Sequence, residues 1–452
     1  MTNKWLSVLF PLLMTAPIAQ ASVDLIAIGQ VDGHYQDLSA KTAYTLENGA
    51  AANTLGGIGS GLAYAGGNTF LALPDRGPNA VAYNASVDDT TSYIPRLQTF
   101  NLSLAVNPNY DPLTVGSMPY ILSPALTATT LLSSGIPLTY GANGAPALNT
   151  TSKYYYSGRS DNFNPARKST SQYNARLDPE GIRVAKDGKS VFITDEYGPY
   201  VYQFNRTTGR FMKAFKLPDY FAVKNLNSVG DTEISANTSS GRIANKGMEA
   251  LAISPDGNTL IGMMQQNLAQ DTKKYVRIIT IDIATNATHE YAYKLTDGSS
   301  VSDILAINDH EFLVDERDGA GLGDGSAAVV KKMYKIDLTG APDVSGMTTI
   351  GATTPLVTKT LFVDVLAKLV ASGMSATEVP AKLEGAAFGP DLIVNGVTKH
   401  TLFIVNDNDF LPTVGGINNP NKFFVFTIDA TDLPNFVPQT IAPLAIDNND
   451  RG

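Results

Sequence analysis

The residues best placed to do chemistry are acidic, and they recur in one pattern. In "DPEGIRVAKDGKSVFITDEYGP" (178–199), Glu180 precedes one short apolar run and Asp195–Glu196 follow a second, with an Asp-Gly turn between them. An Asp-Gly dipeptide between β-branched runs is a hairpin signal. The start of the first strand then lies beside the end of the second, so Glu180 meets Asp195 and Glu196. The pattern returns with Glu249 leading "EALAISPDGNTLIGMM", with Asp315–Glu316 ending "SDILAINDHEFLVDE", and with Glu384 and Asp407 bracketing a longer hairpin. "SGLAYAGGNTFLALPD" ends at Asp75, and Asp409 follows Asp407 closely. Two unit charges about 6 Å apart at an effective dielectric of about 20 repel by roughly 3 kcal/mol. Convergent carboxylates therefore call for cations, and hard oxygen donors suit Ca²⁺ better than Mg²⁺ in an irregular cage. Basic residues accompany them: Arg76 in "PDRGP", Arg176, Lys246 in "NKGMEA" and Arg317 in "DERDG". They suit a phosphate or carboxylate; the plainer alternative is that they brace the neighbouring acids, and that the acids cap loop amides.

The elements that must position these residues are the hairpins. Leading residues fall at 60, 180, 249, 302 and 384, and most hairpins are followed by a second strand pair, as in "YVYQFNRTTGRFMKAFKL" (200–217) and "VRIITIDIATNATHEYAYKL" (276–295). Repeated four-stranded antiparallel units are the blades of an all-β propeller. The interval from 60 to 180 is twice the others, so a weak blade is expected between 105 and 175. The expected count is six, with seven the alternative. In such a ring every inner strand runs the same way, and one channel mouth collects Asp75, Glu180, Asp195, Glu196, Glu249, Glu316, Glu384 and Asp407 as metal ligands. Arg76, Lys246 and Arg317 lie there as groups acting on an anionic substrate. Residues 361–371 read as a short helix in an inter-blade loop.

The whole chain sets limits. Lys4, the apolar run that follows it and Ala19-Gln20-Ala21 read as a signal peptide over 1–21, leaving 22–452 as one domain outside the cytoplasm, secreted or periplasmic. With no cysteine and a formal charge of -9, the exported chain holds its fold without disulfides. Basic clusters for nucleic acid are lacking, and no later stretch is long and apolar enough to span a bilayer. There is no G-x-S-x-G elbow, the four histidines share no zinc spacing, and "DGKS" (187–190) is a strand–strand turn, not a phosphate loop.

The blocks "LPDRGPN" (73–79), "LDPEGIRVAKDGKSVFITDEYGP" (177–199), "NKGMEALAISPDGNTL" (245–260), "VSDILAINDHEFLVDERDG" (301–319), "KLEGAAFGPD" (382–391) and "FIVNDNDF" (403–410) resemble the phytase-like propeller family described as "esterase-like activity of phytase". The resemblance implies an exported propeller linked to phosphoester hydrolysis, and related calcium-dependent propeller phytases make Ca²⁺ the expected cofactor. The expected function is metal-dependent hydrolysis of a small anionic phosphate ester. The alternatives are a lactonase-like or sugar-dehydrogenase-like propeller enzyme, and a binding propeller without catalysis. One departure is "MMQQN" (263–267), where Gln265 and Gln266 stand in place of acids; the mouth is expected to be asymmetric.

Overall fold

A computed structural model describes residues 21–444 apart from 79–83, 85, 87 and 143. Residues 1–20 of the expected signal peptide and the C-terminal residues 445–452 lie outside the described residues.

Each hairpin identified above becomes the inner half of a blade. The first blade runs Gly61–Tyr64, Thr69–Leu73, Arg96–Val106, Tyr120–Leu131 from the channel outward. The second runs Pro179–Val184, Ser190–Asp195, Tyr200–Asn205, Phe211–Lys216. The third comprises Met248–Ile253, Thr259–Met264, Tyr275–Asp282 and Thr288–Lys294. The fourth comprises Ser300–Ala306, Glu311–Arg317, Lys331–Asp337 and Thr358–Asp364. In the fifth, Lys382–Phe388, Val397–Asp407 and Asn421–Asp429 are completed by Val23–Val31 from the other end of the chain. The inner strands pack in sequence, each on the next, and the last returns to the first. This is a closed five-bladed propeller.

The count differs from the six expected. The long interval after the first hairpin is filled by outer strands of 11 and 12 residues, followed by loops pinned by the short pair Ser133–Ser134 with Tyr154–Tyr155. Spacing alone cannot tell a long outer strand from the start of another blade. The expected helix is Val365–Ala371, and residues 361–364 belong to the outer strand that precedes it. Asp364 ends the strand and caps the helix, accepting from the Ala367 N–H at 2.9 Å, as short acidic side chains do at helix N-termini.

The blades meet through apolar faces, as where the Phe70 and Phe403 rings lie 4.5 Å apart between the first and fifth. Near the mouth the strands approach too closely for side chains. A Cβ on Gly61 would stand 2.3 Å from the Glu180 carbonyl oxygen, and one on Gly181 would stand 2.7 Å from the Leu251 Cβ. Gly61→Ala is therefore expected to lower unfolding free energy by about 1–3 kcal/mol, the usual cost of overpacking, measurable by urea denaturation. An unchanged midpoint would mean the ring is looser than this geometry.

At the far end of the channel, the tail after the fifth blade crosses the ring. The Val437 N–H donates to the Ile307 carbonyl at 2.8 Å, Gln439 Nε2 to the Val184 carbonyl at 2.8 Å, and the Ala442 N–H to the Lys186 carbonyl at 2.9 Å. The tail lies across that end, and the acids gather at the other.

Candidate functional site

The hairpins do more than bring the acids near each other. In four blades the pairing register slips at the leading residue: between Pro179 and Ile182, Met248 and Ala250, Val301 and Ile304, and Leu383 and Gly385. Those slips are β-bulges, which break the strict alternation of side chains and re-aim the extra residue. Glu180, Glu249 and Glu384 are the residues in three of them. In the fourth, Ser302 and Asp303 occupy the bulge.

The mouth is a cavity of about 420 Å³. Of the expected residues, Asp75, Arg76, Glu180, Glu196, Lys246, Glu249, Arg317, Glu384 and Asp407 line it, together with Asp409. Asp195 and Glu316 do not. Asp195 turns back at the strand end and accepts backbone N–H groups from Asp178 (3.1 Å), Tyr197 (3.0 Å) and Gly198 (3.0 Å). Glu316 faces away because successive strand residues point to opposite sides, and Arg317 takes the channel side. Its carboxylate is held by Tyr293, Lys359 and the N–H groups of Thr296 and Gly298. Arg176 faces a neighbouring cavity instead, its guanidinium between the Phe163 and Tyr197 rings at 4.6 and 4.8 Å.

Several mouth carboxylates already have a cation of the protein itself. Arg317 pairs with Glu384, lies 4.0 Å from Glu249, and donates from Nε to Ser302 Oγ at 2.7 Å. Lys382, two residues before Glu384, donates to Asp407 Oδ2 at 2.9 Å and to Asp409. Sequence reading missed Lys382 because its role depends on the return of a strand 25 residues later. It also missed Asp178, whose signal was its place in "DPEG", one strand step before Glu180. Arg76 Nη1 donates to Asp178 Oδ2 at 2.7 Å and the Arg76 N–H to Asp178 Oδ1 at 3.1 Å.

Acids crowd together on the side of Asp178, which Arg76 already holds. Asp75, Asp178 and Glu180, all buried, each offer a carboxylate oxygen within 4.8 Å of the other two. Burial, followed by the Asp407 charge, pushes the Asp75 carboxyl well above its usual range. Burial and then Glu249 and Asp178 do the same to Glu180, and burial with Glu196 and Glu384 does so to Glu249. Such perturbation by like charges in a cleft is characteristic of functional sites. Lys246 is half-buried, and its ammonium makes no hydrogen bond or ion pair to a described residue.

Burial also raises Asp195 to about 7 and Asp315 to about 8. A carboxyl whose folded pKa lies above its unfolded value stabilises the fold while protonated, and that contribution is lost as pH rises through the folded pKa. The unfolding free energy without added cation is therefore expected to fall between about pH 4, where the unfolded carboxyls ionise, and about pH 8, where the folded ones do. Urea titrations across that window check it, and a flat or rising curve would contradict the assignment.

Beneath the mouth, Arg183 of the second blade reaches Asp303 of the fourth at 2.9 Å. The same guanidinium donates to the carbonyls of Leu62 and Ile304, both at 2.8 Å, and Asp303 Oδ2 accepts from the Ala386 N–H at 2.9 Å. This cross-brace touches inner strands of the first, second, fourth and fifth blades. It gives the acidic cavity a floor.

Comparison with known proteins places this geometry among relatives. The phytase-like family model, described as "esterase-like activity of phytase", matches residues 53–410. An "Uncharacterized secreted protein" of Arthroderma benhamiae is 28% identical over 323 residues, covering 59% of this chain and 60% of that relative. The chain thus spans about 60% of the length of the curated relative it matches. Among solved structures, a periplasmic gluconolactonase of Pseudomonas aeruginosa matches over 89% of this chain and 99% of its own, at 11% identity and a TM-score of 0.32. A putative 6-phosphogluconolactonase from Bacteroides uniformis covers 89% and 98%, at 12% identity and a TM-score of 0.31. Likeness at that level carries no argument about chemistry.

Proposed function

The chain belongs to the phytase-like family described as "esterase-like activity of phytase", and from that premise we propose that it is an exported, divalent-cation-dependent hydrolase of phosphate esters acting at the acidic mouth. The observation that carries the reading is the trio Asp75, Asp178 and Glu180, converging within 4.8 Å beside two basic side chains, Arg76 and Lys246. The trio fits a hard cation: its donors are all carboxylate oxygens, and Arg76, paired with Asp178, sets one positive charge against three carboxylates. Ca²⁺ is the preferred ion because it tolerates irregular oxygen cages.

A cation held there supplies Lewis-acid polarisation of the phosphoryl oxygens. The chain's own residues do the rest. Arg76 is oriented from two sides, by Asp178 and by Asn245 Oδ1, so its guanidinium is set before substrate arrives. Lys246 is the cation left over for the substrate's own charge, and it opposes negative charge developing on the phosphoryl group. The cross-brace beneath keeps the ester at the mouth. Export follows from the leader-like residues 1–21.

The test is a panel of phosphate monoesters, phosphate diesters, lactones and sugars, assayed with Ca²⁺ and with chelator. Turnover of a phosphate ester that chelator abolishes is the expected result. Turnover of lactones or sugars alone would replace this reading. Lys246→Ala is expected to reduce kcat/KM by roughly 10²-fold, the scale of losing one preorganised charge-stabilising group, with Ca²⁺ affinity nearly unchanged. Equal activity in that variant would remove Lys246 from the chemistry.

A further inference from the structure

The cavity that neighbours the mouth measures about 380 Å³, within the range of about 300–1,000 Å³ common for small-molecule pockets. Arg76, Asn245 and Lys246 line both cavities, so they form the partition between them. The mouth side of that partition is crowded with carboxylates and the cation assigned to them. An ester whose phosphoryl group meets Arg76 and Lys246 therefore has room for its alcohol half on the other side, in the side cavity.

The charges of the side cavity decide what that alcohol can carry. Its deeper cations, Arg176 and Arg242, are each only 3% exposed and share the Glu233 carboxylate at 3.5 and 2.6 Å. Arg176 Nη1 donates further to the Ser160 carbonyl at 3.0 Å, and Arg242 Nε to the Tyr197 carbonyl at 3.1 Å. The charges left open are acidic. Asp231, on the short helix Gly230–Ala236, is exposed and makes no hydrogen bond or ion pair to a described residue. The Asp89 carboxylate accepts from the Gly230 N–H at 2.9 Å, and no described cation pairs with it. Asn227 and Ser228 add uncharged polar groups to the same wall. An alcohol with hydroxyl groups finds hydrogen-bond partners there. A second phosphate on it meets two carboxylates, with no cation beyond those assigned to the first, and such like-charge juxtaposition suppresses binding.

We propose that the side cavity selects the alcohol half of the substrate. It admits a phosphate monoester of an uncharged, hydroxyl-bearing alcohol and rejects an ester whose alcohol carries a second phosphate. Asp89 and Asp231 are the specificity-determining residues, acting by repulsion. Phytate, the polyphosphate after which the family is named, is then among the rejected esters. This rests on the phosphate-ester reading above, and the experiment separates failure of either. kcat and KM are measured in saturating Ca²⁺ for fructose 6-phosphate and fructose 1,6-bisphosphate, which share one alcohol scaffold, with phenyl phosphate as a third ester. The unmodified protein is expected to favour the monophosphate over the bisphosphate by about tenfold or more in kcat/KM. Asp231→Lys and Asp89→Asn, whose amide oxygen can still accept from Gly230, are each expected to narrow that preference by about fivefold. The change is expected in the KM for the bisphosphate, with the monophosphate altered less than about twofold. A bisphosphate turned over with equal or higher kcat/KM overturns this inference and leaves the proposed function standing. So does a preference that neither variant changes. An equal loss on both sugar esters in the variants also overturns it, because the two acids would then be structural. Turnover of none of the three esters overturns both readings.

Discussion

Arg183→Leu is expected to cost about 3–5 kcal/mol of unfolding free energy, the scale for leaving one member of a buried ion pair uncompensated. Asp303 would keep the Ala386 N–H as a donor, but it would lose the guanidinium that neutralises it. The Leu62 and Ile304 carbonyls would lose donors in the same step. The pair joins non-adjacent blades, so its loss loosens the ring as a whole rather than a single hairpin. Urea denaturation of the single variants and of Arg183→Leu with Asp303→Leu checks this. The double variant is expected to recover part of the loss, because replacing both partners of a buried pair with apolar groups removes the stranded charge. A single-variant loss under about 1 kcal/mol, the range of an exposed pair, would show that water reaches the pair and that the channel has no floor there.

Glu180→Gln is expected to change stability in opposite directions with and without Ca²⁺. A ligand that binds only the folded state adds roughly 2.7 kcal/mol at a hundredfold excess over Kd, so the unmodified protein should melt several degrees higher in Ca²⁺ than in chelator. The Glu180 carboxylate makes no side-chain hydrogen bond to a described residue, and burial and its like-charged neighbours disfavour its ionised form. Without cation, the Gln variant should therefore be more stable than the parent at neutral pH. In Ca²⁺ most of its increment should vanish. Glu384→Gln is expected to behave differently, losing stability without cation, because Arg317 gives up its charged partner. Differential scanning calorimetry on the three proteins distinguishes these outcomes. A Glu180 variant that is destabilised in chelator and keeps the full Ca²⁺ increment would make the carboxylate a structural group.

The contrast between Glu180 and Glu384 marks how far the sequence reaches. The two lead equivalent hairpins and read alike along the chain. What separates them is Arg317, from another blade, and Lys382, whose partners Asp407 and Asp409 arrive on a returning strand. Glu316 is the converse case. It follows Asp315 in an acidic pair, but its side of the strand is set by sheet alternation, and that side faces Tyr293 and Lys359. The Arg183–Asp303 brace left no pattern that spacing could reveal.

The repeat itself was legible, because hairpin chemistry is local. Turn signals such as Asp187-Gly188, Asp256-Gly257 and Gly66-Gly67 between β-branched or apolar runs mark strand pairs locally. One fixed direction of the inner strands then carries every leading residue to the same mouth. Blade number was not legible, since a long outer strand and a new blade have the same composition, and only the closing contact between the first and fifth inner strands distinguishes them. Nor was the division of the mouth into neutralised and uncompensated carboxylates. Charge pairing depends on distances of a few ångströms between residues far apart in the chain. Those distances are set by the bulges, the close strand approach at Gly61 and Gly181, and the cross-brace, all of which exist only once the ring has closed.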